Sequence, residues 1–229
     1  MQTLDQPRRL LAIALAALAG FVDAAGYLSA DRYFVSFMSG NTTRLGVELA
    51  RQPSAALLPA LLALAFVCGV VIGALLTGRL PARHKPPLLL LVAVLLGCGA
   101  WLGGAGHHRS ALLALATAMG ALNNSFQRDG KVAVGLTYMT GALVRLGQGI
   151  AAMLQKRAAE PWADWLMLWL ALAGGAALGA LTFVTWPAVA FWIAAGLAAL
   201  LALASLAMPE RTDEHLKGQP VGGPSNNAR

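Results

Sequence analysis

Asp23 has the clearest capacity for chemistry in this sequence, because it is an acid inside the apolar stretch Leu10–Leu28. An ionised carboxylate in hydrocarbon costs at least roughly 2.5–3.5 kcal/mol unless it is paired or hydrated. Asp23 therefore needs a partner, and Arg44 and Arg145 are the candidates. Such a pair would form either a proton- or ion-coupled site or a buried structural contact that fixes how two parts of the chain dock.

Each of these arginines ends a Met-Ser/Thr-Gly…Arg motif. In the first copy, Gly40-Asn41-Thr42 predicts a helix break, since glycine tolerates unwinding and the Asn and Thr side chains can bond freed backbone groups or a ligand. A half-helix beginning near Gly40 would point its positive end into a cavity and favour an anion or a carbonyl oxygen. A tight helix crossing through small residues is the alternative interpretation.

The residues predicted to contact a solute lie in these motifs and at polar positions near them. They are Asp23, Ser39, Gly40, Asn41, Thr42, Arg44, Asn123, Asn124, Thr140, Gly141 and Arg145. We expect neither a metal nor a cofactor, because His107-His108 has no third ligand nearby and the two cysteines lack the close spacing of a metal or redox site.

Enzyme motifs are missing from the sequence. Gly-x-Ser-x-Gly, His-Glu-x-x-His, a phosphate loop and a paired-carboxylate motif do not occur. Ser39 or Thr42 with Asp23 would make a poor nucleophile and base, because no histidine supports them. Catalysis is therefore not expected.

The composition defines the elements that must position these residues. Hydrophobic residues make up 58% of the chain and charged residues 12%, well below the roughly 25% charge of soluble domains. The net charge of +7 comes from short basic clusters between apolar stretches, which indicates membrane topology and not nucleic-acid binding. Stretches long enough to cross a bilayer are Leu10–Leu28, Ala55–Gly78, Pro86–Gly104, Trp162–Phe183 and Pro187–Met208. No cleavage site follows the first, so it is predicted to be a retained span.

The chain also contains an internal repeat at an offset near one hundred residues. Phe37–Gly46 aligns with Tyr138–Gly147, and three further pairs keep the same order: Gly20 with Gly120, Gly69 with Gly175, and Gly73 with Gly179. Residues 1–105 and 106–209 are therefore predicted to be two repeats of one fold, followed by a disordered cytoplasmic tail at 210–229.

Each repeat has three clear spans and one ambiguous stretch, Tyr33–Ala50 or Val132–Leu154. If these stretches do not cross, the chain has six spans, and its lysines and arginines outside the motifs divide twelve inside and three outside; eight spans would give nine and six. The positive-inside bias favours six spans with both termini cytoplasmic. An odd number of spans per repeat makes the repeat inverted.

The motifs Gly20-x-x-Asp23, Phe37-Met-Ser-Gly-Asn-Thr42, Gly120-x-x-Asn123 and Thr140-Gly141 resemble those of the DUF1275 or YoaK-like family of bacterial membrane proteins. The resemblance covers the chain apart from its two ends. It implies a six-span inner-membrane protein and supplies no substrate. One departure is Leu122-Asn123-Asn124, where family members tend to have Gln-Asn after the second-repeat glycine.

These observations predict an all-α membrane protein with about six transmembrane helices in a 3+3 inverted repeat, each half carrying a broken or re-entrant motif helix. We expect a carrier or channel for a small polar or anionic solute or ion, bound near the midplane between the repeats. The rival prediction is a non-transporting interaction or assembly subunit whose motifs dock the halves or a second copy of the chain. The lipid bilayer is the expected surrounding, and a homo-oligomer is left open.

Overall fold

The computed structural model describes residues 5–30, 32–80, 84–128, 131–132, 139–157 and 162–208, so the predicted tail at 210–229 lies outside the described residues. The first four helices are α1 (Gln6–Ser29), α2 (Met38–Arg51), α3 (Leu57–Arg79) and α4 (Lys85–Gly104). The next four are α5 (His108–Leu122), α6 (Met139–Leu154), α7 (Trp162–Thr185) and α8 (Pro187–Leu206). Two short antiparallel strands, β1 (Gln127–Arg128) and β2 (Lys131–Val132), and the 3₁₀ turns Pro53–Ala56 and Asn123–Ser125 complete the described elements.

Prolines mark the start of three of the long helices. α1 carries Pro7 in its first turn, α4 begins with Lys85-Pro86-Pro87, and α8 begins at Pro187. Proline fits there because the first helical amides have no partner within the helix and its φ angle is already helical. Asp5 caps α1, since its side chain accepts a hydrogen bond from the Arg8 amide at 3.3 Å. These helix starts therefore follow from local sequence.

Within the described residues, five helical segments are long and apolar enough to cross a membrane: Gln6–Ser29, Pro53–Arg79, Lys85–Gly104, Trp162–Thr185 and Pro187–Leu206. About six were predicted. The missing one is α5, which has 15 residues and so measures about 22 Å, short of the roughly 30 Å of hydrocarbon. α5 ends early because the polar run Asn123–Ser125 follows, and this run forms a 3₁₀ turn.

The two motif-bearing stretches form shorter helices on the outside of the bundle. α2 has 14 residues and α6 has 16. In the part of the chain that the structure describes, α2 buries Asn41 alone, and α6 buries Ala142 and Gly149. Both helices therefore leave most of their surface uncovered by the rest of the chain.

α1 and α5 form the centre of the bundle. Leu15 of α1 and Leu115 of α5 are completely buried. The surrounding helices instead expose large apolar side chains, among them Leu64, Leu178 and Leu200. Water would not solvate so many exposed apolar groups, whereas lipid does, so the outer surface agrees with the membrane setting read from the composition.

α1 packs along α7 through two glycines of α7. A Cβ added at Gly175 would collide with the carbonyl of Ala17, and one added at Gly179 would collide with the carbonyl of Phe21. The contact advances by four residues on both helices, so α1 and α7 run parallel. Small residues allow this approach because nothing stands between the two backbones.

α3 packs along α5 in the same manner. A Cβ added at Gly69 would collide with the Thr117 carbonyl, and one at Gly73 would come within 3.1 Å of the Ala121 carbonyl oxygen. This contact also advances by four residues on each helix, so α3 and α5 run parallel. Glycines spaced by four residues therefore permit close helix packing at both places.

The ends of the central helices show how they are placed in the bundle. Leu28, Ser29 and Ala30, at the end of α1, line one cavity together with residues 106–110, at the start of α5. At the opposite end, Arg9 forms an ion pair with Asp164. α1 and α7 therefore begin at one end of the bundle, and α5 begins at the end where α1 finishes.

Candidate functional site

Asp23 is partly buried, and its carboxylate accepts hydrogen bonds from the backbone of the α1–α2 loop. Oδ1 accepts from the amide of Val35 at 2.8 Å and from the amide of Ser36 at 2.7 Å. The Ser36 side chain and the Phe37 amide are further hydrogen-bonding groups beside it. Consecutive amides that converge on one carboxylate oxygen form the kind of anion-binding arrangement that backbone nests provide.

Asn41 holds the same loop from its other side. Its Nδ2 donates to the Phe34 carbonyl at 2.7 Å, and its Oδ1 accepts from the Phe34 amide at 3.1 Å. Asn41 is completely buried. The amides of residues 34, 35 and 36 are thus satisfied by two side chains, Asp23 from α1 and Asn41 from α2. We call this arrangement the Asp23–Asn41 clamp.

The predicted ion pair between Asp23 and an arginine is not formed. Arg44 Nη1 donates to the Arg32 carbonyl at 2.6 Å, and the guanidinium carbon lies 3.9 Å from the centre of the Tyr33 ring. Arg145 lies over the Trp165 ring at 4.8 Å. The loop amides bind the carboxylate because residues 34–37 fold back along α1 and bring these amides next to Asp23. Arg44 Nη2 also lies 3.9 Å from Oε1 of Glu48, one turn further along α2.

The predicted helix break at Gly40 is also not formed. α2 begins at Met38 and continues through the motif without interruption. A Cβ at Gly40 would approach the Phe37 ring to 2.5 Å, so glycine leaves room for aromatic packing and does not unwind the helix. The amides of residues 35–37, immediately before α2, face the carboxylate of Asp23. The place predicted for an anionic solute is therefore filled by the protein's own anion.

Ser39 and Thr42 lie on the exposed face of α2, away from the clamp. The Thr42 hydroxyl donates to the Met38 carbonyl at 2.9 Å. This bond lies within the helix, so Thr42 is satisfied without a ligand. In this structure the motif therefore directs Asn41 inward and its hydroxyl groups outward.

Asn123 and Asn124 are buried at the end of α5. Asn123 Nδ2 donates to the Met119 carbonyl at 2.9 Å, within its own helix. Asn124 Nδ2 donates to the Val70 carbonyl of α3 at 3.1 Å. Gly73 permits this contact, because a Cβ there would lie 2.6 Å from Asn124 Nδ2. Asn124 thus joins α5 to α3 through a hydrogen bond.

Thr140, Gly141 and Arg145 lie on the exposed surface of α6. The structure therefore distributes the predicted site residues over separate places. Asp23 is within two turns of the end of α1, whereas Asn123 follows the end of α5. Since α5 begins where α1 ends, these two polar positions lie toward opposite ends of the bundle. Within the described residues, the predicted site residues of the two repeats do not come together in one place.

A cavity of about 280 Å³ lies beside Asp23, between α1, α7 and the α1–α2 loop. Residues that the sequence analysis missed form its walls: Tyr27, Phe34, Ala176 and Ala180. Tyr27 could have been found, because it follows Asp23 by one helical turn on the same face. Ala176 and Ala180 carried no such signal, since their place beside Asp23 depends on how α7 packs against α1.

The described helices pack through glycines and expose an apolar outer surface, and five of them are long enough to cross a membrane. These features define a multi-pass membrane protein. A family model described as "Protein of unknown function (DUF1275)" matches residues 11–204. The chain belongs to this family, and the resemblance drawn from its motifs is confirmed.

Two relatives share much of their length with this chain. The UPF0700 transmembrane protein RA0705 of Rhizobium meliloti (strain 1021) is 36% identical over 207 residues, which cover 88% of this chain and 87% of that protein. The UPF0700 transmembrane protein YoaK of Bacillus subtilis (strain 168) is 27% identical over 155 residues, covering 64% and 69%. No solved structure matches the chain.

Proposed function

We propose that this protein is a membrane carrier or channel for a small polar solute, with six crossing segments in a 3+3 inverted repeat. The observation that carries the proposal is the crosswise pairing of its helices. α1 with α7 and α5 with α3 meet through glycines at equivalent positions of the two repeats. Inverted repeats that interlock in this way are a common architecture of carriers.

The helix directions support the inverted arrangement. α1 and α5 are equivalent in the repeat, and the end of α1 lies beside the start of α5. α3 runs parallel to α5, so α3 begins at the end of the bundle where α1 finishes. The segment containing α2 then enters and leaves at one face, and the parallel α1 and α7 make α6 re-entrant from the other. α5 with its 3₁₀ turn would be the sixth crossing.

The proposed location is the bacterial inner membrane with both termini cytoplasmic, as the positive-inside rule favours. Cysteines introduced at His84 and Gln219, in a background lacking Cys68 and Cys98, should then resist a membrane-impermeant thiol reagent applied to intact cells. Labelling of both in permeabilised cells is the control. Strong external labelling at His84 alone would match eight spans and contradict the inverted repeat.

The cavity supports a polar solute and revises the charge expected for it. Asp23 is the one charged side chain among the described residues that line this cavity. The half-helix at Gly40 that predicted an anion is not formed, and the two motif arginines lie over the Tyr33 and Trp165 rings. A neutral or cationic solute therefore fits the cavity better than an anion does.

Transport can be tested with the purified protein in liposomes. A panel of labelled polar metabolites and ions should show uptake of at least one solute above protein-free liposomes, with and without a pH gradient. Ala180→Leu, which narrows the cavity beside Asp23, should lower that uptake, whereas Ala177→Leu on the exposed face of α7 should not. Uptake that is absent across the panel, or equal in the two variants, would argue against the proposal.

The assembly function is a second candidate, and one observation favours it. α6 leaves Leu143, Val144, Ile150, Met153 and Leu154 exposed. A second copy of the chain could cover this face as well as lipid does. Cysteines at Val144 should then cross-link between copies in native membranes, while cysteines at Leu200 on α8 should not. Equal cross-linking at both positions would reflect random collision and would count against assembly through α6.

A further inference from the structure

We propose that the cavity beside Asp23 binds a small organic cation of the alkylammonium class. This inference deepens the transport function proposed above and rests on it for its role in the cell. The proposal rests on the lining of the cavity, which combines an acidic side chain, two aromatic rings and several small residues. No lysine or arginine lines this cavity in the part of the chain that the structure describes.

The lining groups come from three segments that converge on one space. Asp23 and Tyr27 lie one helical turn apart on α1, Phe34 comes from the clamped loop, and Ala176 and Ala180 lie one turn apart on α7. The Tyr27 and Phe34 rings pack with centroids 4.9 Å apart and an interplanar angle of 34°. The cavity thus has an aromatic wall, a small-residue wall and a carboxylate.

The carboxylate is stabilised by the loop but not neutralised by a charge. The amides of Val35 and Ser36 both donate to Oδ1, and the Ser36 side chain and the Phe37 amide also lie beside the carboxylate. All of these donors are uncharged. A carboxylate at membrane depth gains most from a positive partner, because the apolar surroundings screen little of the attraction. An ammonium group beside aromatic rings gains further from the negative potential at their faces.

The nearby basic groups are placed elsewhere and do not supply that charge. Arg44 donates to the Arg32 carbonyl and lies over the Tyr33 ring. Arg109 lines a separate cavity of about 640 Å³ at the end of α1. Leu28 borders both cavities and stands between Arg109 and the space beside Asp23.

The size of the cavity limits the ligand. A volume of about 280 Å³ lies just below the roughly 300–1,000 Å³ of small-molecule sites. This space suits a cation of a few heavy atoms, such as methylammonium, ethylammonium or tetramethylammonium.

Binding can be measured directly by titration calorimetry on the full chain in detergent. The probes are methylammonium, ethylammonium and tetramethylammonium chloride, with sodium acetate, sodium propionate and sodium chloride as matched controls. We expect saturable binding of at least one alkylammonium ion and none of the carboxylates. Binding of acetate or propionate in preference to the ammonium ions, or binding of no probe, would overturn the proposal.

Two variants locate the bound ion. Ala180→Leu places an isobutyl group in the cavity and should weaken alkylammonium binding at least about tenfold, a loss that calorimetry resolves. Ala177→Leu adds the same group on the exposed face of the same helix and should leave affinity within about twofold. Asp23→Asn should abolish binding, and because it also alters the clamp, the Ala180 and Ala177 pair decides the location if Asp23→Asn fails to fold. Equal affinities in Ala180→Leu and Ala177→Leu would place the ion elsewhere and refute the site.

The binding and uptake experiments fail independently. Alkylammonium binding that depends on Ala180 without uptake of any solute would support the site and overturn the carrier. Uptake of some solute without alkylammonium binding would support the carrier and overturn the cation site.

Discussion

The α1–α2 connection and the equivalent α5–α6 connection differ in the groups available to hold their backbone. In the first, Asp23 and Asn41 bind three successive loop amides. The aligned positions in the second carry Asn123 and Ala142. Asn123 donates to the Met119 carbonyl of its own helix, and alanine has no polar side-chain group. The two repeats therefore differ in residue type at both positions that form the clamp in the first repeat.

The glycine contacts between helices, by contrast, are the same in the two repeats. Gly175 meets the Ala17 carbonyl, and Gly69 meets the Thr117 carbonyl, at equivalent positions and with equal closeness. The two repeats therefore share the glycine packing, while Asp23 and Asn41 of the first are replaced by Asn123 and Ala142 in the second.

The largest effect is expected from leucine at either close-packing glycine. Gly69→Leu and Gly175→Leu would each drive a side chain into the backbone of a neighbouring helix, and overpacking without room to relax should cost more than about 3 kcal/mol of unfolding free energy. The losses should be alike in the two repeats. Thermal unfolding in detergent measures this, with Gly174→Leu as the control because nothing lies within 4 Å of a Cβ there. A severe loss in one repeat alone would contradict the shared scaffold.

Asn41→Ala should have the next largest effect. It removes both bonds to Phe34 and leaves a buried amide and carbonyl without partners, which we expect to lower the free energy of unfolding by about 2–3 kcal/mol. Thr42→Ala is the matched control, because that side chain is exposed and bonds within its own helix. If the two variants unfold at the same temperature, the clamp does not hold the loop.

Asp23→Ala should destabilise the protein by about 1–2 kcal/mol, since two amides lose their acceptor while the cost of placing a carboxylate in the membrane is relieved. Asn123→Ala removes the bond to the Met119 carbonyl of its own helix and should cost less than Asp23→Ala does. Unfolding in a denaturing detergent compares the two. A greater loss from Asn123→Ala would reverse the comparison between the two connections.

The smallest expected effect is the coupling free energy between Asp23 and Arg44, measured on the stability of the protein. The two side chains have different partners, so the effects of Asp23→Asn and Arg44→Ala on stability should add to within about 0.5 kcal/mol. The double variant and both single variants give this value. A coupling well above that limit would restore the ion pair that the sequence suggested.

Much of the fold could be predicted from the sequence because the signals are local. Apolar stretches of sufficient length identified the five described helices that are long enough to cross a membrane. Glycines spaced by four residues mark the close helix contacts, and a four-residue spacing on one helix places Arg44 near Glu48. The length of α5 could not be predicted in this way. Its composition suggested a longer membrane span, but the helix ends at Leu122 because the polar residues Asn123–Ser125 follow.

The partner of Asp23 was decided only by the tertiary structure. The sequence showed that a carboxylate in an apolar helix needs a partner. The candidates it indicated were the two arginines of the matching motifs. The groups that bind it are the amides of Val35 and Ser36, twelve and thirteen residues away. Every residue except proline has such an amide, so no residue type marks it. The choice depends on residues 34–37 folding back along α1, where Asn41 holds them.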